Sequence, residues 1–153
     1  MIDISVFSEE KAWNKKLKNK EFFFNKICKA FPKKYKFLKK KISLTLLLSN
    51  NKNIKRLNKN FRNKNKPTDI LSFPSENNLK ISKQTYIGDI IISYDFINRP
   101  KKQKSKLFKA KLTKIFIHGF LHLLRFDHVK NKDYLKMIKE EKKIYKSVIS
   151  KLN

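Results

Sequence analysis

The sequence predicts an α+β fold, in which a small mixed sheet of about four strands packs with several helices. Four short segments have the apolar pattern of strands, and four longer segments carry apolar side chains at the spacing of helices. Helices separate most of the strands along the chain, which implies some parallel pairing. A chain of 153 residues is most simply one domain, 1–153, and its hydrophobic fraction of 40% is enough for a real core.

The four strands are predicted from alternation or from short apolar runs. They cover residues 2–7, 41–48, 69–73 and 86–93. The last of them is nearly continuous in isoleucine, at Ile87 and 90–92, which suggests a central position in the sheet. A polar loop at about 74–85 precedes it, and the two strands flanking this loop can pair as an antiparallel hairpin.

Four helices are predicted from apolar side chains three and four residues apart. They cover residues 8–30, about 51–61, 105–124 and 132–152. Ser8 is the expected N-cap of the first helix, and Asn50 or Asn51 that of the second. Pro32 and the lysines after it are expected to form a connection. The apolar stripes comprise Trp13, Leu17, Phe24, Ile27 and Cys28 in the first helix, Ile54, Leu57 and Phe61 in the second, and Tyr134, Leu135, Ile138, Ile144, Tyr145 and Val148 in the last.

The chain is strongly basic. Lysine and arginine number 39 against 12 acidic residues, which gives a formal net charge of +27. This excess favours a polyanionic partner, with RNA or DNA ahead of a membrane surface. Compositional drift explains its origin equally well, because only four of the 39 are arginine and the chain is rich in lysine, asparagine, isoleucine and phenylalanine.

Several features predict a cytoplasmic protein. The sole cysteine, Cys28, cannot form an intrachain disulfide, and we expect it to be a small buried apolar side chain in a reducing compartment. The first residues lack the basic and apolar regions of a signal peptide. The longest apolar runs are too short to span a bilayer, so no membrane partner is expected.

All three histidines lie within 11 residues, at His118, His122 and His128. Residues four apart share one face of a helix, so His118 and His122 point the same way. The helix must break after Leu124 for His128 to reach the same point. Three neutral imidazoles with an open fourth position are the ligands of a catalytic zinc site, and we predict one Zn²⁺ ion here. The alternative is a set of structural histidines, each of which would need a buried partner.

Gly119 separates this pattern from that of zinc peptidases. Enzymes with an H-E-x-x-H motif place a glutamate directly after the first histidine as the general base, and glycine occupies that position here. Zinc can lower the pKa of a bound water to about 7. A nucleophile of this kind on a basic protein suits a phosphodiester better than a peptide.

Four segments, in order along the chain, carry recognisable motifs. Residues 118–128 read H-G-F-L-H-L-L-R-F-D-H, and this segment resembles the signature H-G-x-L-H-L-x-G-Y-D-H of the YbeY-type rRNA maturation endoribonucleases. The other three matches are 57–62 (L-N-K-N-F-R) with L-N-x-x-[YF]-R, 67–74 (P-T-D-I-L-S-F-P) with P-T-D-V-L-S-F-P, and 88–93 (G-D-I-I-I-S) with G-D-I-x-I-S. Four ordered motifs make the resemblance specific.

The resemblance implies a single-strand-specific, zinc-dependent endoribonuclease that acts in small-subunit rRNA maturation and ribosome quality control. It implies that His118, His122 and His128 bind the metal and that Arg62 and His118 are catalytic. The nucleophile would be a metal-activated water or the RNA 2′-hydroxyl. The implied partners are an rRNA precursor and the ribosome or small-subunit assembly factors, with no stable DNA complex. Physically, Arg62 can hold a phosphate oxygen through two hydrogen bonds.

Other matched residues are predicted to be structural. Thr68 and Asp69 can shape the turn before a strand. Asp127 can orient an imidazole or form a hydrogen bond at the helix end, and Glu141 is expected to do no more than pair with a lysine.

Arg125 departs from the family pattern, which has glycine there. Glycine would allow a left-handed turn, and another residue in that conformation costs about 1 kcal/mol. The turn is therefore either mildly strained or built differently.

Two other functions remain compatible with the sequence. One is a non-catalytic RNA-binding ribosome-assembly factor in which zinc supports the structure. The other is a zinc peptidase, which Gly119 disfavours.

Overall fold

The computed structural model describes residues 1–75 and 79–152, and within them it is an α+β protein, as predicted. The elements in chain order are β1 (Ile2–Ser8), α1 (Trp13–Lys16), α2 (Lys20–Lys29), α3 (Lys33–Lys36), β2 (Lys41–Ser49), α4 (Asn51–Arg62), β3 (Ile70–Pro74), β4 (Gln84–Ser93), α5 (Tyr94–Ile97), α6 (Ser105–Leu123) and α7 (Asn131–Leu152).

The four strands form one mixed sheet in the order β1-β2-β4-β3. β2 pairs in parallel with both β1 and β4, while β3 and β4 are antiparallel. The central position of the isoleucine-rich strand and the antiparallel pairing are therefore confirmed. Part of the predicted polar loop, 76–78, lies outside the described residues.

One face of the sheet carries the main core. The alternate side chains Ile42, Leu44, Leu46 and Leu48 of β2 are at most 1% exposed and belong to a cluster with residues of α2, α6 and α7. On the opposite face, Ile54 of α4 forms a smaller cluster with β3 and β4. This arrangement packs α6, the helix that bears two histidines, against the sheet.

The single helix predicted over 8–30 is wrong in its first part. Ser8 ends β1, and the chain is extended at Leu17, between α1 and α2. The side chain of Asn19 accepts the backbone N–H of Phe22 at 2.9 Å and so begins a new helix. The predicted stripe is nevertheless buried, because tertiary contacts such as the bond from Trp13 Nε1 to the Ser49 carbonyl (2.9 Å) hold α1 on the core.

The remaining helices differ from prediction mainly at their ends. Asn50 caps α4 as expected, since its side chain accepts the N–H of Asn53 at 2.9 Å. The short helices α3 and α5 were not predicted, and α3 occupies the segment assigned to a connection. Tyr134, Leu135 and Phe61 are 46%, 62% and 67% exposed, so all three are wrongly placed in buried stripes. No helix within the described residues is long and apolar enough to cross a membrane.

Candidate metal centre

His118 and His122 lie one turn apart near the end of α6 and face each other. Their Nε2 atoms are 3.1 Å apart, and their ring centroids 4.6 Å. The ring of His128 lies 5.6 Å from that of His118 and 5.0 Å from that of His122, centroid to centroid. One ligand atom from each of the three lies within 4.8 Å of the others. The structure thus brings together the three predicted ligands.

A left-handed turn at Arg125 brings His128 back to the helix. Arg125 has φ of 69°, its N–H donates to the His122 carbonyl at 2.9 Å, and the N–H of Phe126 donates to the Leu121 carbonyl at 3.0 Å. This pair of bonds is the Schellman arrangement that glycine usually completes. The backbone therefore keeps the glycine-type turn, and the Arg125 guanidinium donates to the Ser75 carbonyl.

The Nδ1 atoms of both helical histidines bind acceptors. Nδ1 of His122 lies 2.9 Å from the Phe126 carbonyl oxygen, and Nδ1 of His118 lies 2.6 Å from Oε1 of Glu141. Because a carbonyl and a carboxylate can only accept, each Nδ1 carries the proton. In neutral imidazoles the two Nε2 atoms then present lone pairs to each other. Burial, followed by the charge of His118, holds the pKa of His122 below its usual 6.5, which favours the neutral form.

This donor set fits a metal ion of the zinc type. Two nitrogens that bind one tetrahedral zinc at about 2.0–2.1 Å lie about 3.3–3.4 Å apart. The observed 3.1 Å between Nε2 atoms is close to that separation. Facing lone pairs repel, and a bound cation converts the repulsion into attraction.

The sequence analysis missed the role of Glu141. The prediction that it does no more than pair with a lysine is wrong, because its partner is His118. It bonds His118 from α7, in the carboxylate–histidine arrangement that fixes the tautomer of many metal ligands. Its neighbour Glu140 is 7% exposed and binds Tyr35, Lys34 and Lys143. The bonds to Tyr35 and Lys34 attach α7 to α3 and help to hold Glu141 opposite His118.

Asp127 and the motif at 67–74 shape the backbone around the site. Asp127 Oδ1 accepts the N–H of His128 at 2.7 Å, so of its two predicted roles the local hydrogen bond is found. Asp69 accepts the N–H of Ile70 at 2.8 Å and the hydroxyl of Thr68 at 3.2 Å, as expected for a turn. Ser72 Oγ donates to the Gly119 carbonyl at 3.2 Å, which ties the histidine-bearing turn to β3.

Arg62 is the last residue of α4, and its side chain is exposed. It makes no hydrogen bond or ion pair with the residues that the structure describes. The structure does not join it to the histidines by a contact, so its role stays a prediction. The buried Asn58 of the same motif is structural, because its Nδ2 donates to the Lys66 carbonyl at 2.8 Å and holds the segment after α4.

The model of one protein family, endoribonuclease YbeY, matches residues 6–149. The chain belongs to the YbeY endoribonuclease family. A relative named endoribonuclease YbeY from Pelagibacter ubique (strain HTCC1062) is 62% identical over 152 residues, which are 99% of each protein. Its counterpart in Aliarcobacter butzleri (strain RM4018) is 41% identical over 104 residues, 67% of this chain and 71% of the relative.

A solved structure shares the fold of this YbeY family member. The solution structure of TM1509 from Thermotoga maritima matches with a TM-score of 0.57 and 26% identity, over 99% of this chain and 91% of the other. The family resemblance drawn from four motifs is thus confirmed, as is the predicted fold class.

Replacing Glu141 should weaken metal binding in a graded way. Loss of an outer partner of a metal-ligating histidine typically costs about 10- to 100-fold in metal affinity. We expect a fall in that range for Glu141→Ala and a smaller one for Glu141→Gln, whose amide oxygen can still accept from Nδ1. Competition with a chelator measures the affinity. Asp3→Asn, an exposed carboxylate on β1, is the charge-matched control. Equal affinities in all four proteins would contradict the assignment.

The stability of the metal-free protein should fall in mild acid. The pKa of His122 is lowered in the folded state, so the unfolded chain binds more protons below the ordinary value of 6.5. The contribution of His122 is therefore fully present above that pH and is lost as the pH falls through the lowered folded value. Urea midpoints across this range measure it. His122→Gln should flatten the decline, and an unchanged slope in that variant would rule out His122 as its source.

Proposed function

We propose that this protein is a single-strand-specific endoribonuclease with one Zn²⁺ ion, acting in the cytoplasm on small-subunit rRNA precursors and in ribosome quality control. The observation that carries the proposal is the convergence of His118, His122 and His128, whose ligand atoms lie within 4.8 Å of one another. The 62% identical relative from Pelagibacter ubique is named endoribonuclease YbeY, which supports the same activity.

The residues of the chain would hold the metal ion and orient the imidazoles that bind it. A zinc ion on three imidazoles would supply Lewis acidity and a nucleophile at neutral pH. His118 and His122 would bind it through Nε2, while Glu141 and the Phe126 carbonyl keep the proton on Nδ1. His128 is exposed and His118 is 30% exposed, so the site is open enough for a polymer to reach.

A peptidase is disfavoured by the packing of Gly119. A Cβ atom there would lie 2.5 Å from Ile70 Cδ1 and 3.1 Å from Ser72 Oγ. A glutamate at this position would therefore enter the sheet rather than face a substrate. The general base of an H-E-x-x-H enzyme therefore has no place at position 119.

The proposal is tested by cleavage of labelled RNA. We expect the purified protein to cut single-stranded RNA and to leave duplex RNA and single-stranded DNA intact. A chelator should abolish the cut, and added Zn²⁺ should restore it. Chelator-resistant cleavage would contradict the metal mechanism. RNA binding without any cleavage, alone or with small ribosomal subunits, would favour the non-catalytic assembly factor instead.

Arg62 is proposed to stabilise charge on the phosphate as the bond breaks. Loss of one such donor costs about 100-fold in kcat in comparable sites. We expect that loss for Arg62→Ala, with partial recovery in Arg62→Lys. Arg56→Ala is the matched control, because Arg56 is an exposed arginine on the same helix. Equal activities of the Arg62→Ala and Arg56→Ala variants would remove Arg62 from the mechanism.

A further inference from the structure

A basic surface lies in a groove between α1, α2, α6 and α7, with a volume of about 940 Å³. All of its charged lining residues are lysines, and none of the residues that line it is acidic. These lysines are Lys15, Lys16, Lys18, Lys26, Lys106 and Lys109. A concave surface with one sign of charge concentrates a polyanion.

Aromatic rings lie among the lysines. Phe22 is 65% exposed, while Phe23 and Tyr145 are partly buried, and all three line the groove. An exposed phenylalanine on a helix contributes little to the core of this protein. Cationic side chains interleaved with exposed rings are the composition of surfaces that bind single-stranded nucleic acid, where bases stack on the rings.

The lysines of the groove lie away from the metal centre. Lys109 precedes His118 by nine residues on α6, a separation of about 14 Å along the helix axis. On α7, Tyr145 follows Glu141 by one turn, and the Lys114 ammonium lies 4.9 Å from the centroid of its ring. The histidines thus lie toward one end of the α6–α7 pair, and the groove lies toward the other.

We propose that this groove binds a single-stranded RNA segment outside the cleavage site, with a base stacked on Phe22 and phosphates on Lys26 and Lys109. The identity of the polyanion rests on the proposed function. A strand can enter a concave groove, whereas a flat bilayer would contact only the lysines at its rim. The groove would hold a long substrate without taking part in the chemistry.

Binding is measured with a labelled oligouridylate of about 16 nucleotides, in chelator so that the strand stays intact. Phe22→Ala should weaken binding by about 5- to 150-fold, the range for loss of one base–aromatic stack. Phe7→Ala is the control, because Phe7 is 59% exposed on β1, away from the groove. Binding weakens as salt rises, and the slope of log K against log salt concentration measures this dependence. Replacing Lys26 and Lys109 by glutamine should make that slope shallower by about 1.4, at about 0.7 per phosphate contact. Lys29 and Lys146, exposed on α2 and α7 outside the groove, give a charge-matched control pair.

The decisive comparison is between groove and control variants. If both pairs of lysine variants lost RNA affinity equally, binding would depend only on the overall positive charge of the protein and not on the groove. That result would overturn the proposal. An unaffected Phe22→Ala variant would overturn it too, and binding of phosphatidylserine vesicles that depends on Phe22 would then assign the groove to a lipid surface.

Cleavage gives a second readout that separates this proposal from the function itself. With the metal-loaded protein, groove variants should raise KM for the long strand and leave kcat unchanged, while a strand of about four nucleotides is cut normally. If the protein cuts no RNA, the proposed function fails, and the binding comparison still decides the groove.

Discussion

Replacing His118 by alanine is expected to remove the bound metal and RNA cleavage together. In the proposed site His118 would supply one of three nitrogens, and its Nε2 lies 3.1 Å from that of His122. Loss of an outer partner of such a ligand already costs about 10- to 100-fold, so loss of the ligand itself should lower cleavage by more than about 100-fold. Elemental analysis of the purified variant measures the metal, and a labelled single-stranded RNA measures the cleavage.

The variant should still fold, which keeps the result interpretable. The His118 side chain is 30% exposed and lies outside the main core, so truncation leaves no large cavity. Leu107→Ala, an exposed side chain near the start of α6 and outside the groove, controls for a change in the helix itself. A His118→Ala protein that keeps its fold and cuts RNA at the original rate under strict nuclease controls would disprove the metal mechanism. A folded variant that retains stoichiometric metal would remove His118 from the ligand set.

The histidine cluster could be predicted because its information is local. The spacing of His118 and His122 matches one helical turn. His128 comes just after the short turn in which the chain reverses direction at the end of the helix. The left-handed conformation at Arg125 was only one of two possibilities, since the sequence lacks the glycine that normally marks it. Backbone bonds to His122 and Leu121 stabilise this turn even with arginine present.

Glu141 could not be found in the same way, because it lies 23 residues from His118 in the chain. Their contact depends on how α7 packs against α6, which no local pattern specifies. A signal existed nonetheless. Glu141 shares a face of α7 with Met137, Ile144 and Val148, which are at most 2% exposed. A carboxylate beside a buried stripe needs a partner, and the helix is otherwise rich in lysine.

The fold was predictable where side-chain patterns and packing agree. Strands bounded by polar residues were located to within two residues, and the isoleucine-rich β4 is central because both of its faces are covered. The first helix was mispredicted because an apolar stripe does not reveal where the backbone breaks. Asn19 provides a cap inside that stripe, and this local bond outweighs the continuity of the pattern.

Gly88→Ala should be the most damaging small substitution in the protein. Gly88 has φ of 134°, a region that residues with a Cβ rarely adopt. An added Cβ would lie 2.2 Å from the Phe73 carbonyl oxygen and 2.9 Å from Pro74 Cα, both backbone atoms of the neighbouring strand. Backbone strain and overpacking each cost about 1–3 kcal/mol, so the free energy of unfolding should fall by about 4 kcal/mol. For a domain of this size, that lowers Tm by about 10 °C.

Gly119→Ala provides the matched comparison, since both glycines have close neighbours but differ in backbone. Gly119 lies within α6, and its nearest contacts are the side-chain atoms Ile70 Cδ1 and Ser72 Oγ, which can move. Alanine also favours the helix by about 1 kcal/mol, which offsets part of the crowding. We therefore expect a much smaller loss of stability for Gly119→Ala in thermal unfolding of the metal-free proteins. Equal losses would mean that crowding against α6, rather than the backbone at Gly88, governs both sites. A stable Gly88→Ala protein would refute the requirement for glycine in β4.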